Sequence, residues 1–164
     1  MIRIGQGIDV HRFIEDRPLV LGGVRIAERG GLEGHSDADA VLHALTDAIL
    51  GAIGAGDIGE YFPSSDARWK NASSDVFVKE AMRLLRDRGG IVSNADITVI
   101  AETPKLGPHK ERIRESVAAL IGIPTAQVNV KATTTDGLGF TGRREGICAL
   151  AVVAVILGNS RAEP

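Results

Sequence analysis

The sequence predicts an α+β fold: one domain with a mixed four- to five-stranded sheet, helices on one face, and sheets packed inward in an oligomer. Three observations carry this. The chain has 164 residues, the size of one ordinary domain of about 100–200 residues. Segments of strand character alternate with segments of helical period, a pattern that builds a mixed sheet layered with helices. The last apolar segment, Ile147 to Leu157, is apolar on both alternating faces, with Ala149, Ala151 and Val153 set against Leu150, Val152 and Ala154. A strand of that kind is buried on both sides. With helices on one face only, a second subunit has to cover the other.

The elements follow in order. Ile2 to Ile8 reads as a first strand. Leu19 to Leu21 and Val24 to Ile26 flank Gly22-Gly23, the signature of a tight hairpin. Ser36 starts a helix, with Ser36 and Asp39 in capping-box-like spacing, and Val41, Leu45, Ala48, Ile49 and Ala52 form its apolar stripe. Gly54 to Asn71, rich in Gly, Pro, Ser and Asp, is loop-like. Ser73 or Ser74 caps a second helix that buries Phe77, Ala81, Leu84 and Leu85 and ends at Gly89-Gly90. Asp96 to Ala101 alternates as a strand. Pro108 suits the first turn of a third helix with Ile113, Val117, Leu120 and Ile121 inward, stopped by Gly122 and Pro124. Val128 to Ala132 is a strand, and Thr133 to Gly142 is a turn-rich loop.

Composition narrows the function. The formal net charge is -2 with a pI of about 6.1, and no basic stripe appears, so nucleic-acid binding has no electrostatic support. The longest apolar run, Cys148 to Leu157, is far short of the roughly 20 residues that span a bilayer, which argues against a membrane protein. The opening residues carry no charged-then-apolar leader pattern, and the single cysteine cannot form an internal disulfide. The expectation is a cytoplasmic protein.

Asp9 and His11, two residues apart on a strand, point to one face. With His43 they make a three-ligand set for a divalent metal, leaving a fourth tetrahedral position open for a substrate. Counting about 100° per residue, Asp39 and Asp47 share the helix face of His43, and either could accept the second ring N–H that a metal-bound imidazole usually donates. His35 and Ser36 stand where free N–H groups of a helix start would favour a phosphate, although Ser36 also reads as a plain N-cap. Thr133, Thr134, Thr135 and Asp136 offer three hydroxyls and a carboxylate to phosphates and a hard cation such as magnesium, or are ordinary strand residues. Arg143 and Arg144 read by default as surface residues.

Five stretches in order then carry a resemblance over essentially the whole chain. They are Ser36-Asp37-Ala38-Asp39-Ala40-Val41-Leu42-His43-Ala44-Leu45-Thr46-Asp47-Ala48; the opening Gly-Gln-Gly-Ile-Asp-Val-His-Arg-Phe; Gly56-Asp57-Ile58-Gly59 before Phe62-Pro63; Pro104-Lys105-Leu106; and Lys131-Ala132-Thr133-Thr134-Thr135 with Gly139-Phe140-Thr141-Gly142-Arg143. The chain resembles the 2-C-methyl-D-erythritol 2,4-cyclodiphosphate synthases of the non-mevalonate isoprenoid pathway.

The resemblance implies a homotrimer with active sites between neighbouring subunits. It implies that Asp9, His11 and His43 bind zinc or a similar ion, and that magnesium or manganese bridges the substrate's α- and β-phosphates near Asp136. The substrate would be 4-diphosphocytidyl-2-C-methyl-D-erythritol 2-phosphate, cyclised with release of CMP. Asp57, Ile58 and Gly59, with Phe62, Pro63, Ser64, Ser65 and Asp66, would hold its methylerythritol phosphate part. Ala101, Pro104, Lys105, Leu106 and Gly107, with Ala132, Thr133, Thr134 and Thr135 of the adjacent chain, would hold cytidine. His35 and Thr134 would stabilise the transition state, and Ser36 would line the site. Phe140 and Arg143 would line a cavity on the threefold axis, where some members bind isoprenoid diphosphates. Two positions depart from the common pattern. Asp136 stands where Glu is frequent, one methylene shorter, and Ser64-Ser65-Asp66 has one acid fewer than many members. The length implies one synthase domain over residues 1–164, without a fused cytidylyltransferase.

Overall fold

The computed structural model describes residues 1–158. Among the described residues there are seven strands and five α-helices: β1 (Ile2–Ile14), β2 (Leu19–Leu21), β3 (Val24–Ala27), β4 (Gly31–Leu32), α1 (Ala40–Ile53), α2 (Ile58–Tyr61), α3 (Asp75–Asp87), β5 (Gly90–Ile100), α4 (Lys110–Ile121), β6 (Val128–Thr133), α5 (Gly139–Gly142) and β7 (Gly146–Leu157). The main sheet has five strands in the order β4-β1-β7-β5-β6. β7 is central, antiparallel to β1 from Ile2↔Ile156 to Arg12↔Gly146 and antiparallel to β5 on its other side. β6 adds in parallel to β5, which makes the sheet mixed as the alternation of elements predicts. β2 and β3 form a separate ribbon closed by Gly22 and Gly23, both at positive φ (62° and 75°), the backbone of a tight hairpin turn.

The helices cover one face. α1 crosses β1 and β7, α3 packs on α1 and β5, and α4 lies against β6. Under them Ala149, Ala151, Val153 and Val155 of β7 and Ala95, Ile97 and Val99 of β5 are buried. On the opposite face Ile2, Ile4, Ile8, Val10, Ile91, Val152 and Ile156 are exposed, with Ile2 and Ile4 about 70 % open (71 % and 70 %). β7 is thus apolar on both faces, and this chain alone covers one of them.

Several boundaries differ from the sequence expectation. β1 runs to Ile14 rather than Ile8, because its second half keeps pairing even where its residues are polar, with β7 as far as Arg12 and with β4 at Phe13 and Ile14. β5 begins at Gly90 rather than Asp96. A register shift between Val92 and Asn94 moves the buried side chains from even to odd positions, which breaks the period-2 signal. α1 begins at Ala40, four residues after Ser36, and Asp39 is its N-cap, accepting from the N–H groups of Val41 and Leu42. Leu84 and Leu120 are only partly buried, and α3 buries Val78 and Met82 as well. The loop 54–71 contains α2 and a short 3-10 turn, Ala67–Trp69, and the loop 133–142 contains α5. Among the described residues no helix is long and apolar enough to cross a membrane.

A candidate metal centre and two cavities

Asp9 and His11 stand on the helix-facing side of β1, in line with Gly5 and Gly7. Those glycines let β1 lie directly on the α1 backbone: a Cβ on Gly5 would come 1.9 Å from the Ala48 carbonyl oxygen, and one on Gly7 would come 2.0 Å from that of Ala44. His43 precedes Ala44 in the first turn of α1, so this contact sets the strand ligands beside the helix ligand. Asp9 Oδ2 is 2.8 Å from His11 Nε2 and 3.4 Å from His43 Nδ1, and the two ring nitrogens are 3.2 Å apart. A tetrahedral divalent ion with ligand bonds of about 2.0–2.1 Å spaces its ligands about 3.3 Å apart. Two edges of the triangle, 3.4 and 3.2 Å, match that spacing, and the Asp9–His11 edge at 2.8 Å is shorter. Among the described residues it is the one group of three such ligands. Asp9 Oδ2 is also buried without a partner in hydrogen-bonding geometry, an atom that a cation would satisfy.

The electrostatics agree. Burial alone would raise the Asp9 carboxyl, but the facing imidazoles of His11 and His43 outweigh it and hold the group at about 2. Burial alone would lower His11, but Asp9 outweighs it and the imidazole stays above its ordinary value. His11 Nδ1 is 2.7 Å from the Glu33 carbonyl oxygen, which can only accept, so Nδ1 carries the proton and Nε2 presents its lone pair to the centre.

The predicted acid partners of His43 do not reach it. Asp39 is fully buried and takes four backbone N–H groups, from Gly22 (2.8 Å), Gly23 (2.6 Å), Val41 and Leu42 (both 3.1 Å), tying the hairpin to the start of α1. Burial pushes its carboxyl up to about 6 against the pull of those donors. Asp47 accepts from the Ile58 N–H at 2.8 Å. His43 Nε2 instead meets Ser74 Oγ at 2.8 Å and Ser36 Oγ at 3.1 Å. The helix start expected at Ser36 lies instead at Ala40, where Asp39 already takes the first N–H groups. Ser36 Oγ accepts from the Ala38 N–H, and His35 Nε2 is 3.1 Å from the Asp66 carbonyl oxygen.

The centre opens into a cavity of about 250 Å3. His35, Ser36, Ile58, Gly59, Phe62 and Ser64 line it together with His11 and His43. Pro63 and Ser65 belong to the same loop. Asp57 caps α2 through the Glu60 N–H, and Asp66 holds Arg68 (2.6 Å). A second cavity, about 330 Å3, gathers Ala101, Pro104, Lys105, Leu106, Gly107, Ala132, Thr133 and Thr134. The two share no residue. Beside the second, Thr135 Oγ1 contacts Thr141 Oγ1 (2.9 Å), and Asp136 sits at φ 52° and accepts from Thr134 Oγ1 at 3.2 Å. Phe140 is partly exposed in α5, and Arg143 pairs with Glu145 at 2.8 Å. A larger cavity, about 500 Å3 between Phe13, Leu19, Ala27 and Pro104, has no ligand triad, so size alone does not mark the site.

The sequence model of the YgbB family matches residues 2–156, which covers the triad, both cavities and every strand but the last residue of β7. The chain belongs to the YgbB family. It is similar to the 2-C-methyl-D-erythritol 2,4-cyclodiphosphate synthase of Xanthomonas campestris pv. campestris, 59% identical over 157 residues, which are 96% of this chain and 95% of that protein. It is also similar to the bifunctional enzyme IspD/IspF of Sphingopyxis alaskensis, 54% identical over 154 residues, 94% of this chain but 39% of that one. The chain therefore spans well under half of the bifunctional relatives it matches. A solved 2C-methyl-D-erythritol-2,4-cyclodiphosphate synthase with bound CDP superposes with a TM-score of 0.86 at 42% identity, covering 94% of this chain and 100% of that one.

Three residues of this YgbB chain escape sequence reasoning. Trp69 and Phe77 line the metal-side cavity, and Ser74 faces His43. The aromatics left a signal: the chain has six, and Tyr61, Phe62, Trp69 and Phe77 form one cluster, with the Phe62 and Phe77 rings 4.5 Å apart. Sparse aromatics that gather in one short stretch and the next helix point to a shared wall. Ser74 left none beyond its place at a helix start.

Proposed function

We propose that this chain converts 4-diphosphocytidyl-2-C-methyl-D-erythritol 2-phosphate to 2-C-methyl-D-erythritol 2,4-cyclodiphosphate with release of CMP. The observation that carries the reading is the triangle of Asp9, His11 and His43, spaced for a tetrahedral ion and open to a cavity, in a chain of this family. The substrate brings its own nucleophile. A 2-phosphate oxygen bonds to the β-phosphorus, the bond from that phosphorus to the bridging oxygen breaks, and CMP departs with the bridging oxygen. No water enters, and the eight-membered ring closes.

Such a reaction asks for positioning and charge neutralisation rather than a general base or a side-chain nucleophile. Asp9, His11 and His43 would hold a divalent cation, zinc in this proposal, which would supply Lewis-acid polarisation of the attacked phosphate. Around it His11 and His43 keep their lone pairs inward, and Asp9 brings the negative charge that retains the ion. The segment Asp57 to Asp66 grips the methylerythritol phosphate part, and the aromatic wall of Phe62, Trp69 and Phe77 limits water. His35 and Thr134 donate hydrogen bonds to the phosphoryl oxygens as charge develops. Asp136 would offer its carboxylate towards a second ion, magnesium or manganese, which would neutralise diphosphate charge.

The cytidine group fits the second cavity, and its separation from the triad on one chain supports a site built between two subunits. A homotrimer joined through the bare apolar sheet face brings the two halves together, and Phe140 with Arg143 then lines its axis, a place for an isoprenoid diphosphate. Residues 1–164 act as one synthase domain in a cytoplasmic setting.

Solvent labelled with oxygen-18 tests the chemistry. Cyclisation leaves CMP and product unlabelled. Label in either product marks a metal-dependent hydrolase on the same ligands and contradicts the proposal.

A further inference from the structure

The hydroxyl of Ser74 does not do what a serine at a helix start ordinarily does. A serine at the N-cap accepts an N–H from the first turn. Ser74 is the N-cap of α3, fully buried, and its side chain makes no capping bond. It is turned the other way, between His43 and Asp37. We propose that Asp37 and Ser74 form a proton-orienting relay that holds His43 in its metal-binding tautomer, which makes both of them positioning residues of the metal centre. The inference rests on the metal-centre reading of Asp9, His11 and His43.

The direction of each hydrogen bond follows from what each group can do. The Asp37 carboxylate only accepts. Its Oδ1 takes the Ser74 hydroxyl proton, and its Oδ2 takes the Ser74 backbone N–H at 3.0 Å. Ser74 has one hydroxyl proton, and Asp37 uses it. Towards His43 Nε2, 2.8 Å away, the Ser74 oxygen can then only accept. Nε2 therefore carries the proton, which Ser36 Oγ at 3.1 Å can also accept, and Nδ1 turns a lone pair towards the space between Asp9 Oδ2 and His11 Nε2. The Glu33 carbonyl does the same for His11. Both imidazoles are set before any ion arrives, one by a backbone carbonyl and the other by a carboxylate acting through a hydroxyl. Partners of this kind raise ligand basicity, and their loss costs metal affinity.

The same pair joins the centre to the substrate-side loop. The Asp37 N–H donates to the Ala72 carbonyl (2.9 Å), and the Asn71 N–H donates to the His35 carbonyl (2.8 Å). The orientation of His43 thus depends on residues 71–74 being seated against residues 35–37.

The test is competition of the metal-stripped, full-length protein against a chromophoric chelator for zinc, with cobalt(II) absorption as a second readout. Ser74→Ala is expected to weaken binding about ten- to a hundredfold, and Ser74→Thr, which keeps the hydroxyl, to stay near wild type. Nitrogen NMR of the zinc-loaded wild type should show the His43 proton on Nε2. Wild-type affinity in Ser74→Ala, or a proton on Nδ1 in the wild type, overturns the relay while leaving the metal centre standing. If the wild type and His43→Ala take up equally little zinc, the metal-centre reading itself falls, and the relay with it. Should Ser74→Ala fail to fold, the wild-type tautomer and the Ser74→Thr affinity still decide the matter.

Discussion

Gly7 lies against Ala44 so closely that a Cβ on Gly7 would stand 2.0 Å from the Ala44 carbonyl oxygen. No side chain fits there, and the contact sits one step from the metal centre on both elements: Asp9 follows on β1 and His43 precedes on α1. Gly7→Ala must push strand and helix apart. The expected outcome is a loss of about 1–3 kcal/mol of stability from overpacking, with weaker metal binding in the molecules that remain folded. Denaturant unfolding and metal titration check both. Unchanged metal affinity in a destabilised protein would mean that this contact does not set the ligand distances.

If the triad holds a metal as proposed, protons compete with it for His11. Asp9 holds that imidazole above its ordinary value, against the downward effect of burial. In the metal-free protein the pair's contribution to stability is therefore complete below the ordinary histidine range and is lost as pH rises through the raised value. On the acid side the Asp9 carboxyl, held at about 2, keeps its contribution above the usual carboxylate range and loses it as pH falls through that value. The ion needs the neutral ring, so metal affinity should climb as pH rises through the raised histidine value and then level off. Titrations from about pH 5 to about pH 8 cover the range in which histidine switches. Affinity independent of pH across it would contradict the ligand role of His11.

Asp39 holds two elements together. Three of its four N–H donors, from Gly22, Val41 and Leu42, converge on Oδ1, and the fourth, from Gly23, reaches Oδ2. Asp39→Ala leaves buried donors unpaired and removes a helix cap, a cost of about 2–4 kcal/mol. Asp39→Asn keeps one oxygen for the three donors and places its NH2 against one, so it should cost less. Thermal and denaturant unfolding measure the order. An alanine variant as stable as wild type would remove the structural role given to this carboxylate.

A site divided between neighbouring subunits can be rebuilt from two defective ones. His43→Ala and Thr134→Ala should each be nearly inactive alone. Co-refolded in equal amounts, random closed trimers restore both halves at about a quarter of the interfaces, so activity should return to about a quarter of wild type. No recovery, in chains shown to mix, would place the whole site within one subunit.

The candidate metal triad was legible because its signals are local or periodic. Two residues apart on a strand is one face, and Gly22-Gly23 between apolar segments is a turn. The role of Ser74 was not legible, since it depends on a contact with a histidine 31 residues away. Asp39 and Asp47 show why the helix wheel misled. Helical spacing places an acid on a face, but the N–H groups of Gly22, Gly23 and Ile58, supplied by other elements, decide where its oxygens go. The early part of β5 was hidden by its bulge, where one extra residue inverts the alternation by which strands are recognised.

Phosphorus NMR of the purified protein with 4-diphosphocytidyl-2-C-methyl-D-erythritol 2-phosphate, zinc and magnesium tests the central claim most directly. The account predicts a cyclic diphosphate appearing in step with an equal amount of CMP, both abolished by a chelator and restored by added metal. CMP accompanied by a linear product, or turnover that persists without metal, would contradict it.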